Sequence, residues 1–251
     1  MTELLAADLY TYALVFLRVG SVFMLMPGFA ASYVNMQTRL ILALAVSLIL
    51  QPMVSGILPV QPDNFSLELQ YMINEIAIGL FLGIIMQMLF FALNLAGAIA
   101  SQAIGFANAQ LFDPAFQGQS MLIESFLSVV AITLIFVTDI HHLMFEALVD
   151  SYKLFAPGQA ISWGDIADHA TQTMNQSFDF GFKLGAPFIA FTIIFYSCMG
   201  LLSRLMPQLN IFFLSLPVQI FLGLGVLLIT VPVILTVFFS YYGEGLHFFT
   251  E

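Results

Sequence analysis

The chain has 251 residues, 61% of them hydrophobic and only 8% charged, with five basic against fifteen acidic residues and a net charge of -10. A soluble domain carries about a quarter of its residues as charged ones. Here 27 Phe, 13 Met and a mean hydropathy of +1.00 exceed what one aqueous core of this length hides, so lipid or other subunits must cover the remainder.

This is a membrane-class composition, and with no cluster of Lys or Arg to neutralise phosphates it argues against nucleic-acid binding. No Lys or Arg precedes Arg18, whereas a cleavable signal needs a basic start, so the first apolar segment is expected to stay in the mature protein. Cys198 stands alone in an apolar run and reads as a small buried hydrophobe.

In chain order, apolar runs separated by short polar punctuation predict an all-α fold of about six long hydrophobic helices. The first covers residues 9–26 and stops at Pro27 and Gly28. The second starts near Arg39 and frays over Pro52, Gly56 and Pro59, and the third covers residues 67–105 without a proline. Residues 106–119 then mix Asn108, Gln110, Asp113, Pro114, Gln117 and Gly118 with Phe106, Leu111, Phe112 and Phe116. The fourth helix is predicted over residues 121–154, ending before Pro157 and Gly158.

Ser162 and Asp165 form a capping-box pattern that opens a fifth helix reaching Arg204, with Pro187 as a place to bend. Pro207, Gln208 and Leu209 turn the chain, and Asn210 caps a sixth helix over residues 211–242, so the last two helices form a hairpin. At 1.5 Å per residue the fifth helix would span roughly 60 Å, about twice the hydrocarbon thickness of a bilayer. Much of the hairpin should therefore pack on protein outside lipid.

Arg18, Glu75, Glu124, Asp179 and Lys183 fall inside or beside apolar runs, where facing lipid would cost each several kcal/mol. Asp179 and Lys183, spaced i and i+4, can neutralise one another. Glu75 has no such neighbour and needs an opposite charge or donor from another helix. Gly79 with Gly83, then Gly97, Ser101 and Gly105, then Gly181 with Gly185, form three strips of small residues at four-residue spacing on which helices approach closely. With Arg18 and Glu75, the first two strips are read as subunit-packing positions.

Asp139, His142 and Glu146 share one helix face and are metal-type ligands. Metal sites usually draw on more than one element, so no metal is expected, and His141 lies off that face. No nucleophile elbow, zinc-protease motif or phosphate loop is present, so neither an enzyme nor a cofactor is expected.

A polar, Gly- and Pro-containing segment such as 106–119 can lie at membrane depth only where protein or a water-filled cavity surrounds it. The alternative is an ordinary connector at the membrane surface. Its three Phe side chains favour a loop that fills a pore.

The run GLLSRLMPQLNIF that begins at Gly200, with Arg204, Pro207, Gln208 and Asn210, resembles the signature of the flagellar biosynthesis FliR family of type III secretion export gates. Arg18, Pro27 and Arg39 resemble the family's opening, residues 101–114 its central loop, and His142, Ser151, Pro157 and Gly158 the stretch after helix four. Asp139 departs from the pattern, which would put glycine there.

The resemblance implies a FliP-like region over residues 1–158 and a FliQ-like hairpin over residues 159–251. It implies a hetero-oligomeric helical assembly with FliP and FliQ at the inner membrane of the flagellar basal body, contacting FlhB and FlhA. Such a gate passes unfolded flagellar proteins and is sealed by the central loop, here Phe106, Leu111, Phe112, Asp113, Pro114, Phe116 and Gly118. The hairpin tip, Arg204, Pro207, Gln208 and Asn210, would face the cytoplasm. Two rival readings are an injectisome export-gate homologue and an ion-coupled secondary transporter built on Glu75.

Overall fold

The computed structural model describes residues 2–31, 34–106, 122–159, 162–208 and 211–249, and every regular element among them is a helix. These are α1 (Thr2–Leu25), α2 (Met36–Val54), α3 (Phe65–Ile104), α4 (Leu122–Val137), α5 (Ile140–Leu154), α6 (Trp163–Leu205) and α7 (Ile211–His247). By length and composition α2, α3, α6 and α7 can each cross a membrane, and the bent pair α4 and α5 makes a fifth candidate.

Local chemistry sets the helix starts earlier than the apolar pattern alone implies. Asn35 accepts from Gln37 N at 3.2 Å and Asn64 accepts from Ser66 N at 3.0 Å, so α2 begins at Met36 and α3 at Phe65. Pro52 lies within the last turn of α2, and the helix closes through Ser55 N to Gln51 O at 2.9 Å. At the start of α6 the Ser162 carbonyl accepts from Ile166 N at 3.2 Å, which places Ser162 at the predicted cap position. Pro187 lies inside α6, and α7 runs past the predicted end at Tyr242 to His247.

The helix predicted after residue 120 is corrected. The single helix expected over residues 121–154 is two, with axes bent by 76° at Thr138 and Asp139. Asp139 adopts φ 61°, a left-handed conformation that costs an L-residue other than glycine roughly 1 kcal/mol. No glycine or proline marks the break, and packing holds it: Phe29 meets Phe136 of α4 at 5.6 Å and Phe145 of α5 at 6.5 Å between ring centroids. Phe23 joins them, 4.8 Å from Phe29.

The helices form two compact units. The first comprises Met1–Leu89, Ile135–Met174 and Gly243–Glu251. Its core is Leu14, Val22 and Phe23 of α1, Leu82 and Met86 of α3, and Met144 and Leu148 of α5. The second comprises Phe90–Leu134 and Asn175–Tyr242. Leu93 and Ala96 of α3, Leu127 of α4, Phe188 of α6 and Phe238 of α7 fill it, with the rings of Phe90 and Phe238 edge to face at 5.7 Å. Within this unit α6 and α7 pair as the predicted hairpin: Ser177 and Tyr241 share a hydrogen bond at 2.8 Å, and Phe180 stacks on Tyr241 at 4.0 Å.

All three small-residue strips are close approaches inside the chain. A Cβ on Gly79 would strike Ser21 Oγ and the Arg18 carbonyl, and one on Gly83 would meet Leu25 Cβ at 2.8 Å. At Gly97 the obstacle is Glu124 Cα at 2.6 Å, and at Gly181 it is the Ala92 carbonyl at 2.6 Å. Ser101 is buried. Cys198, expected inside, is exposed, because this part of α6 turns the face bearing it away from the unit's core.

Gly223 and Gly225 of α7 separate packing from propensity. A Cβ on Gly223 would lie 3.0 Å from Ile104 Cα, whereas one on Gly225 would meet nothing within 4 Å. Gly223→Ala is expected to destabilise the purified chain by about 1–3 kcal/mol through overpacking. Gly225→Ala should be neutral or stabilising by up to about 1 kcal/mol through helix propensity. Thermal unfolding of the two variants in detergent, side by side, measures the difference.

Candidate functional site

Two constructions bear on function, one in each unit. In the first, α1 carries Arg18 into a core where it is fully buried together with Glu75 of α3. Nε donates to Glu75 Oε2 at 2.6 Å and Nη2 to Oε1 at 3.0 Å, a bidentate fork that matches the carboxylate plane. Nη1 donates to Ser151 Oγ at 3.2 Å, and Nη2 also donates to the Phe155 carbonyl at 2.9 Å. The guanidinium carbon sits 3.9 Å from the centre of the Tyr152 ring.

The clamp ties three helices by one side chain. Phe155 follows the last residue of α5, so Arg18 places a cation at that helix's negative end and satisfies one of its orphan carbonyls. Ser151 passes the contact on, donating to Leu148 O at 2.6 Å. Gly79, one turn beyond Glu75, lets α1 and α3 come close enough for the fork to close. The partner that Glu75 required is thus Arg18 of the same chain.

In the second unit the root of the 106–119 segment is built from α3 and α7. Gly105 ends α3 with φ 92°, the left-handed residue with which many helices terminate, and its N–H bonds to Gln102 O at 3.1 Å. Gln219 of α7 is buried there, donates through Nε2 to the Ala103 carbonyl at 2.9 Å, and fills the space a side chain at residue 105 would need. Tyr196 OH of α6 lies 3.4 Å from the same nitrogen. Sequence reasoning passed over Gln219; its signal is one amide in the apolar run of α7.

Phe106, the first of the predicted plug residues, is half-buried directly after this root. Leu111, Phe112, Asp113, Pro114, Phe116 and Gly118 lie outside the described residues, as does Asn210 of the hairpin tip. Arg204, Pro207 and Gln208 of that tip are exposed, and Arg204 stands in the last turn of α6 as expected. Asp179 and Lys183 form their own exposed ion pair at 2.6 Å.

Residues 9–245 match the family described as bacterial export proteins, family 1. The chain belongs to that family. It is similar to the flagellar biosynthetic protein FliR of Caulobacter vibrioides, 37% identical over 98% of this chain and 98% of that one. FliR of Bacillus subtilis is 28% identical over 92% of this chain and 90% of its own length, and FliR of Aquifex aeolicus 29% identical over 90% and 87%. The family resemblance carried by the run at Gly200 is therefore met, and the family's work is flagellar export through the type III secretion apparatus.

Removing one half of the clamp leaves a buried charge without its counter-ion, which costs about 3–5 kcal/mol, whereas replacing both by apolar groups of similar volume is often neutral. Arg18→Met and Glu75→Met are each expected to lower the unfolding temperature sharply. The double variant should recover most of the loss. A double-mutant cycle in detergent reads the coupling.

Proposed function

We propose that this chain is a pore-forming, non-enzymatic subunit of the flagellar export gate in the bacterial inner membrane. It assembles with FliP and FliQ, meets FlhB and FlhA, and passes unfolded flagellar proteins. In this reading residues 1–158 are the FliP-like part, residues 159–251 are the FliQ-like hairpin, and the 106–119 loop seals the closed pore.

One observation carries the proposal: α3, α6 and α7 have 40, 43 and 37 residues, about 55–65 Å each, against a hydrocarbon layer of about 30 Å. Only 22% of the most apolar stretch of α6 and of α7 is buried within the chain. Phe221, Leu228 and Ile229 of α7 are each at least three-quarters exposed. Lipid can shelter only half of such a rod, so the remainder needs apolar protein beside it. A subunit of a helical gate meets that need, and the exposed hairpin tip suits a contact with a cytoplasmic partner.

The transporter reading depends on Glu75 as an ion-coupled carboxylate, but both of its oxygens are held by Arg18. Against the injectisome reading stand the three relatives named above, each of which carries a flagellar name.

Two measurements test the proposal. Phe221→Glu with Leu228→Glu should abolish co-purification with FliP and FliQ while leaving the unfolding temperature of the isolated chain unchanged. A chain that still co-purifies would remove the ground for apolar assembly along α7. Deleting residues 106–119 should raise ion conductance through the assembled complex at least severalfold in planar bilayers, and an unaltered conductance would sink the plug assignment.

A further inference from the structure

The 76° break between α4 and α5 brings His141, which a continuous helix would point off the face of Asp139 and His142, into one cluster with them. Asp139 sits in the break, and His141 and His142 lie in the first turn of α5. Each offers one ligand atom, and the three atoms lie within 4.8 Å of one another. Glu146, which the periodic pattern grouped with Asp139 and His142, is not among them, because Asp139 is outside the helix and His141 takes the third place.

We propose that Asp139, His141 and His142 form a binding site for a divalent transition metal, with zinc the best fit, that clips the bend between α4 and α5. Two imidazoles and one carboxylate are a donor set that zinc accepts, leaving a fourth position for water. His142 Nδ1 stands 3.8 Å from Asp139 Oδ1. That is too far for a hydrogen bond and close to the roughly 3.4 Å that separates two donors around a tetrahedral zinc.

The surroundings are those of a built site. His141 Nδ1 faces the Ile135 carbonyl of α4 at 3.4 Å, the kind of backbone acceptor that commonly orients a metal-bound imidazole. Phe136 and Phe145 flank the same ring, with centroids 5.3 and 6.3 Å away, so one ligand is positioned from both helices of the bent pair. The His141 and His142 rings are 4.2 Å apart. Asp139 and His142 are about 70% exposed, so an ion can reach them without rearrangement of the core. The left-handed Asp139 fits this reading: glycine would relieve the strain there but would delete the carboxylate.

The test uses the full chain purified in detergent without a polyhistidine tag, stripped with chelator and titrated with zinc against a chromophoric competitor. One zinc per chain with micromolar or tighter affinity is expected, with a rise of several degrees in the unfolding temperature. Cobalt in place of zinc should give the visible absorption of a four-coordinate ion. Asp139→Gly and His142→Gln should each weaken binding at least tenfold and cancel the thermal shift, whereas His169→Gln should change neither. Asp139→Gly also serves as the folding control, since without metal it should unfold no lower than the parent chain. Absence of stoichiometric binding, or binding that survives both substitutions, would overturn the assignment.

Discussion

A guanidinium taken out of water must be met by a carboxylate and by carbonyl or hydroxyl acceptors at fixed places, and that requirement sets where α1, α3 and α5 stand. Arg18 meets all of it with Glu75, Ser151 and Phe155, and each partner comes from a helix or helix end whose position is then constrained. Buried ion pairs add little net stability over apolar contacts, but a misregistered one is heavily penalised, so such a pair selects one arrangement of otherwise interchangeable greasy helices. Gly79 completes the constraint by removing the side chain that would hold α1 away from α3.

The second unit solves a different problem. A chain leaving a long apolar helix exposes unsatisfied carbonyls, and Gly105 and Gln219 deal with them where the 106–119 segment departs. The fold thereby gives a polar segment a fixed exit from an apolar scaffold. The root itself is held by the buried amide of Gln219.

Long helices with apolar outer faces leave much greasy surface that the chain does not cover by itself. Its inward faces are packed at glycine contacts and ring clusters, while α6 and α7, which bury Phe188 and Phe238, also leave large side chains such as Phe182, Phe221, Leu228 and Ile229 exposed. The chain belongs to a bacterial export family, and its helices α6 and α7 exceed the thickness of a bilayer's hydrocarbon layer.

Composition and periodicity by themselves determined the membrane class, the all-helical fold, the uninterrupted third helix, the terminal hairpin and the local pairing of Asp179 with Lys183. These follow from spacing along one chain, which a one-dimensional reading contains. The small-residue strips were legible as close contacts, but not what they touch. Tertiary structure alone decided that Glu75 belongs to Arg18, 57 residues away, that Gln219 caps the end of α3, and that Cys198 faces outward. It also decided that the helix after residue 121 breaks at Asp139, because the bend is held by Phe29 packing on both halves rather than by a local breaker. Partners chosen across helices depend on which faces meet, and an amino-acid pattern of period 3.6 specifies a face without specifying its neighbour.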